Sequence, residues 1–526
     1  MDLGRRRFLA LGAGAGLAAA AGGLLTGCSD APALRTGGTL TVGLPGYPAL
    51  LNPTQGVSEE TRWIADPVVE TLYRYRDDTT LEPVLAAADP AVSGDGLAWT
   101  LALRDGVRFA DGTPFDAEHV AACLRHVNDP ATAGEWAPYL AGRLGTVTVV
   151  DAGTVRLDLP RPFGVLRPLL ARLPIPHQAS LADPQALVGT GPFRAERIVP
   201  GQSVLLRRND AYRGDRAPYD AIEFRVAAAD AAAAQLKSGA ILVDPRPTPA
   251  QTKVLRKTSS LQAHTVSAPV DLATALNLRR APFDNVAIRR ALAAGMDRKT
   301  VRDSVYLGFA VLGQGPIGPA TEGWGESPSP TATPTASPSA PAGPRPYGER
   351  VDADRVRALL AEAGTTGPVR FTVLATEEVR AVATALAAGW VKAGFEPAVD
   401  VVDDATWRHR RAAGDFDFAL SVRRPAYAVG ITAYDVLAPA ASDHPDNTGY
   451  RNPGLDKLLA DAWAAGDASR REKLCALADE ILVRDAVMMP PVYPKLLVGQ
   501  SRSVESIDET RMGFGELELA TLHRRG

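Results

Sequence analysis

The stretch Trp99-Thr-Leu-Ala-Leu-Arg104-Asp105-Gly106-Val107-Arg-Phe109-Ala-Asp111-Gly112-Thr113-Pro114-Phe115-Asp-Ala-Glu118-His-Val120 decides how the rest of the chain is read. Trp99 to Leu103 has the composition of a strand bounded by a turn. Asp105-Gly106 and Asp111-Gly112 are hairpin turn signals around a short strand, Val107 to Phe109, because glycine accepts the backbone angles such turns need. From Ala117 to Val127 apolar residues recur at three- and four-residue spacing, which predicts a helix. Strand, tight turns and helix thus follow one another within thirty residues.

The same alternation continues outward. Thr39-Leu40-Thr41-Val42-Gly43-Leu44 reads as a first strand, and further strands are predicted at Thr146–Val150, Thr154–Leu159, Val204–Arg208, Ile222–Val226, Phe371–Leu374 and Ala398–Val402. Helices fit Val286–Met296, Ala353–Ala363, Glu377–Ala393 and Arg470–Arg484. The fold class is therefore α/β. At 526 residues the chain is too long for one core, and 46% hydrophobic with 22% charged residues is enough to fill several. Ser327 to Pro344 holds only Ser, Pro, Thr, Ala and Gly, can bury nothing, and is read as a disordered surface insertion.

The first 27 residues differ from all this. Arg5-Arg6-Arg7 precede an uncharged apolar run, Phe8 to Leu25, which reads as an export signal. Arg5-Arg6-Arg7-Phe8-Leu9 resembles a twin-arginine motif. Leu25-Thr26-Gly27-Cys28 resembles a lipobox, which makes Cys28 the acylated first residue of the mature protein, followed by a polar tether over 28–38. Two acyl chains hold a protein stably on a membrane where one would be marginal. Gly12, Gly14 and Gly16 imitate a dinucleotide loop, but no strand precedes them.

The chemistry that is missing narrows the function. There is no phosphate loop, no Gly-x-Ser-x-Gly elbow, no His-Glu-x-x-His and no Cys-x-x-Cys, so neither catalysis nor a cofactor is expected. His119 and His126 lie seven apart on one helix without a third ligand, so no metal is expected. The net charge of −3 becomes more negative once the three leader arginines are removed, which argues against nucleic acid as a partner. Cys123 and Cys475 sit in apolar helical stretches and are read as separately buried thiols.

The Trp99–Val120 segment closely resembles the signature of the peptide/nickel-type, family 5 extracellular solute-binding proteins of ABC importers. Val188-Gly189-Thr190-Gly191-Pro192-Phe193 is similar to that family's glycine-rich turn, and Arg208-Asn209-Asp210-Ala211-Tyr212 to the segment after it. Leu276-Asn277, Pro282-Phe283-Asp284-Asn285, Arg289-Arg290-Ala291-Leu292 and Met296-Asp297-Arg298 resemble the start of its large second lobe, and Asn447, Tyr450, Asn452-Pro453 and Leu455-Asp456 complete the series. The resemblance implies a two-lobed periplasmic-binding-protein-like fold of type II, the large peptide-binding class. Lobe I would comprise 39–55, 185–275 and 489–526, with 56–184 as a subdomain on it, and lobe II would comprise 276–488. Chain crossings near Ala268–Ala275 and Met489–Tyr493 would form the hinge. The implied protein is a monomeric, non-enzymatic lipoprotein on the outer face of the cytoplasmic membrane. It would capture a peptide or other small organic solute by lobe closure and deliver it to a permease and ATPase complex. The alternative is a lipoprotein of the same fold repurposed as a structural or regulatory partner in envelope assembly.

In the family's peptide binders an aspartate in a Trp-x-x-Asp-Tyr-Pro-Asp-Pro-like stretch pairs with the peptide's amino terminus. Arg423-Arg424-Pro425-Ala426-Tyr427-Ala428 corresponds here, with Ala426 in the aspartate's place and Arg423 in the tryptophan's. Asp435 or Asp443 would have to serve instead for a peptide, whereas Arg423 and Arg424 suit a carboxylate, phosphate or sugar acid. Tyr427, Asn447, Trp407, Tyr73 and Trp63 are the remaining expected cleft residues, amphipathic groups suited to a wet cavity.

Overall fold

Thr39–Leu44 buries Leu40, Val42 and Leu44 completely, and it runs parallel to Ala221–Val226 on one side and to Val243–Asp244 on the other. A computed structural model describes residues 34–525 apart from 57, 77–79, 133, 268–269, 319–347, 424–447, 510–511 and 513–516. These three strands are the centre of a seven-stranded sheet in the spatial order 261–266, 496–501, 243–244, 39–44, 221–226, 203–208, 193–199. One face packs Trp63, Ile64, Phe193, Phe224 and Leu519 into a single apolar cluster. The opposite face is covered by the helices Ala229–Ser238 and Pro249–Leu255 through Leu236, Ile241 and Leu255.

A second sheet has the order 271–276, 418–423, 370–376, 396–402. Arg370–Thr376 is parallel to both Phe418–Arg423 and Glu396–Val402, whereas Asp271–Leu276 is antiparallel to its neighbour. Its core is aromatic: Trp390 lies edge-on to Phe371 and Phe418, and its indole N–H donates to the Leu292 carbonyl at 2.9 Å. The helices Val286–Ala294, Ala353–Glu362 and Arg380–Lys392 pack around it.

The Trp99–Val120 segment begins in the strand Ala98–Ala102, which belongs to a smaller antiparallel sheet of 91–92, 98–102, 154–158 and 146–151. Gly106 and Gly112 take φ of +72° and +90°, the left-handed angles that the two Asp-Gly turns require. The helix Ala117–Asn128 starts where the Asp116 carboxylate accepts the Glu118 and His119 backbone N–H groups. Its core does not stop at the subdomain. Leu455, Leu459, Ala462, Cys475, Ala478 and Leu482, from the helices Pro453–Ala464 and Ala468–Arg484, are buried in the same cluster as Leu72 to Leu181. The Gly164 N–H also donates to the Trp463 carbonyl at 2.8 Å, and Arg143 lies 4.3 Å over the Trp463 ring. This helical pair, assigned to lobe II by the sequence reading, shares its apolar side with the subdomain. Cys123 and Cys475 are both buried in that cluster and neither is in a disulfide, and burial pushes the Cys123 thiol up to about 12. The Ser327–Pro344 tract lies outside the described residues.

Candidate functional site

Strand directions locate the cleft. Leu261–Val266 is antiparallel to Leu496–Ser501, which is antiparallel to Val243–Asp244, so 261–266 runs the same way as 39–44 and leaves the first sheet at the carboxyl edge of its parallel strands. After four residues the chain enters the second sheet at Asp271, which pairs with Arg423, the carboxyl end of a parallel strand there. The return is equally short: Val492–Pro494 pairs with Ala310–Leu312 on the second lobe, and Leu496 already pairs with Val266 on the first. Two crossings therefore tie the carboxyl edges of both sheets to each other. The crevice outside such edges is where open α/β sheets bind ligands.

On the first lobe, this edge ends at Leu44, Val226 and Asp244. Two residues beyond Asp244, the Arg246 guanidinium donates to Glu59 Oε2 at 3.2 Å and Glu60 Oε1 at 2.6 Å, and lies 6.0 Å over the Trp63 ring. Glu59, Glu60 and Trp63 share the helix Glu59–Ala65, which Ser58 caps by accepting from the Thr61 N–H. Tyr47, three residues past Leu44, has a buried hydroxyl without a hydrogen-bond partner among the described residues, and burial raises its pKa. On the second lobe, the edge ends at Thr376, Val402 and Arg423. Asp403 caps the next helix, Asp404–Ala413, and one turn along it Trp407 packs beside Ala275, Leu374, Phe416 and Ala419. The Trp407 indole N–H is buried without a partner among the described residues.

The expected site residues are thus only partly brought together. Trp63 and Trp407 belong to elements at the two opposed edges, and the Arg423 backbone ends a strand there. Tyr73 is a correction: it is fully buried in the subdomain core, its hydroxyl donates to the Ala88 carbonyl at 3.3 Å, and Arg167 lies 5.2 Å over its ring. Arg424, Tyr427, Asp435, Asp443 and Asn447, with Ala426, lie outside the described residues. Arg246, Glu59, Glu60 and Tyr47 escaped the sequence reading, although Leu242-Val243-Asp244-Pro245 followed by an arginine is a strand end with a charged residue just past it.

The family-like motifs form a scaffold instead. The Glu70 carboxylate accepts from Thr190 Oγ1 at 2.7 Å, from the Tyr212 hydroxyl at 2.9 Å and from Arg213 at 2.6 and 2.9 Å. Asn209 donates to the Gly191 carbonyl at 3.0 Å. The glycine-rich turn and the segment after it are thereby locked together at the amino edge of the first sheet, away from the crevice.

Asp244 gives the crevice edge a measurable pH signature. Its side chain is buried, Oδ1 accepts from the Arg246 N–H at 3.1 Å, and Oδ2 has no partner among the described residues. Burial pushes the carboxyl up to about 6. A raised carboxyl favours the folded state when protonated, so this contribution is complete below the unfolded value near pH 4 and is lost as pH rises through 6. Chemical denaturation of wild type and Asp244→Asn across pH 4 to 7.5 should show their stability difference changing by about 2 to 3 kcal/mol, the wild type gaining on acidification. A pH-independent difference would contradict the assignment.

Two lobes with opposed carboxyl edges and a double crossing define a two-lobed binding protein of the type II periplasmic fold. Residues 80–442 match the family described as bacterial extracellular solute-binding proteins, family 5. The chain belongs to that family, and it is a binding protein rather than an enzyme. It is 27% identical to the periplasmic oligopeptide-binding protein OppA of Haemophilus influenzae over 477 residues, covering 83% of this chain and 84% of the relative. It is 25% identical to the glutathione-binding protein GsiB of Escherichia coli K12 over 510 residues, covering 89% and 92%. Its structure resembles that of DppA from Helicobacter pylori in complex with the peptide STSA, with a TM-score of 0.79 at 22% identity over 94% and 99% of the two chains. Among the described residues, no helix is long and apolar enough to cross a membrane, and no three His, Cys, Asp or Glu side chains are placed to hold a metal.

Proposed function

We propose that this chain is the exported, Cys28-acylated capture component of an ABC importer, which closes its two lobes on a small organic solute and presents it to a permease. The observation that carries this reading is the pair of carboxyl edges held face to face by crossings at 267–270 and at Lys495, a geometry in which short connections act as a hinge. Relatives that bind an oligopeptide and glutathione support a peptide-like solute. The replacement of the amino-anchoring aspartate by Ala426, beside Arg423 and Arg424, supports one that presents a carboxylate or another anionic group.

The test is thermal unfolding against peptide and acidic-metabolite panels, since a solute at a hundred times its Kd stabilises by about 2.7 kcal/mol. Acidic or polyhydroxylated solutes should raise the melting temperature and ordinary di- to pentapeptides should not. Alanine at Arg423 or Arg424 should cost about 1.5 to 3 kcal/mol of binding per charged hydrogen bond lost. Micromolar peptide binding that survives alanine at both arginines would overturn this specificity and turn attention to Asp435 or Asp443.

A further inference from the structure

The first lobe carries an arginine corner that the solute cleft does not use. Leu34–Arg35 pairs with Arg524–Arg525, Leu34 opposite Arg525 and Arg35 opposite Arg524. Val504 bridges to Arg524 on the other side, and the Arg525 N–H donates to the Ser503 carbonyl at 2.7 Å. Arg35, Arg502, Arg524 and Arg525 are thus gathered on one small ribbon. None of the four makes an ion pair among the described residues. The acidic groups beside the ribbon are already engaged: Glu505 with His523 at 2.9 Å, and Asp220 with Arg208 and the Gly38 N–H, each at 2.8 Å. Leu34 adds an apolar side chain that is 52% exposed.

The ribbon's place in the fold is as informative as its charge. Residue 502 follows the end of a strand that begins at the cleft, and residue 35 precedes the start of Thr39–Leu44, so the ribbon lies at the amino edge of the sheet. The cleft is at the other edge, about 20 Å away along a six-residue strand. Cys28 is six residues before Leu34, and six residues span at most ~20 Å.

We infer that this arginine ribbon is a membrane-seating surface, which binds the anionic lipid headgroups surrounding the acyl anchor and turns the cleft mouth away from the bilayer. The inference rests on the proposed acylation of Cys28. A basic cluster beside a lipid anchor is attracted to anionic headgroups by roughly fivefold in affinity per arginine, an attraction that falls off within a Debye length and weakens with salt.

The test uses the exported chain without residues 1–27 and carrying Cys28→Ser, so that acyl chains do not mask the ribbon. It is sedimented with vesicles of phosphatidylcholine, with and without phosphatidylglycerol. Binding should need phosphatidylglycerol, weaken steeply with salt, and fall by roughly 600-fold when Arg35, Arg502, Arg524 and Arg525 are all changed to Gln. Lysine at all four positions should restore it. Equal binding to both vesicle types, no binding to either, or full binding by the Gln variant would overturn the inference. The comparison between the two vesicle types needs no arginine variant to fold. A solute-induced melting shift reads the capture function separately, so loss of the shift sinks that reading and leaves the vesicle result to judge this one.

Discussion

Gly189→Ala is expected to destabilise the protein by about 3 to 5 kcal/mol, the upper end of what a single substitution does. A Cβ at this position would sit 2.1 Å from the Val68 carbonyl oxygen and 2.7 Å from the Val69 Cα, and those atoms are backbone that cannot swing aside. The Val68 carbonyl also accepts the Gly191 N–H at 2.9 Å, and the Gly189 carbonyl accepts the Ala110 N–H at 3.0 Å. Opening room for one methyl group would therefore break the seam between the seven-stranded sheet and the subdomain. Gly112→Ala is the control: its Cβ would meet nothing within 4 Å and only its φ of +90° is strained, so a loss of roughly 1 to 2 kcal/mol is expected. Urea unfolding would rank the two, and equal losses would refute the steric account of the glycine-rich turn.

Cys28→Ser should move the protein from the membrane to the soluble fraction. Each buried acyl methylene contributes roughly 0.8 kcal/mol, so two chains outweigh any contribution from the arginine ribbon. Fractionation of cells expressing wild type and variant, with a metabolic lipid label, gives the result directly. A variant that still pellets with membranes at high salt would show that the lipobox reading of Leu25 to Cys28 is wrong.

The fold was readable in the sequence where its causes are local. Two Asp-Gly turns and the apolar spacing from Ala117 to Val127 act within a few residues of themselves, and the structure forms the turns and a helix, Ala117–Asn128, there. The helix Asp404–Ala413 went unread because Asp-Ala-Thr-Trp-Arg-His-Arg-Arg-Ala-Ala has almost no apolar stripe, and its signals lay at its ends, Asp403 at the start and Gly414 after the last turn. The cleft wall was harder, since Arg246 reaches Glu59 and Glu60 across more than 180 residues and no spacing rule connects them. Tyr73 was misplaced for a related reason: a tyrosine on a short strand with an arginine beside it looks half-exposed until Arg167, from a distant helix, closes over the ring. The helices from 453 to 484 have apolar faces that do not announce which neighbour they bury against, and they bury against the subdomain as well as the second lobe.

Solution X-ray scattering with and without a solute that raises the melting temperature tests the central claim most directly. Closure of two lobes about crossings at 267–270 and Lys495 predicts a smaller radius of gyration in the bound state, with saturation at the same solute concentration that calorimetry gives. A protein that binds such a solute stoichiometrically while its radius of gyration stays unchanged, or that binds none from peptide and acidic panels, would contradict capture by lobe closure.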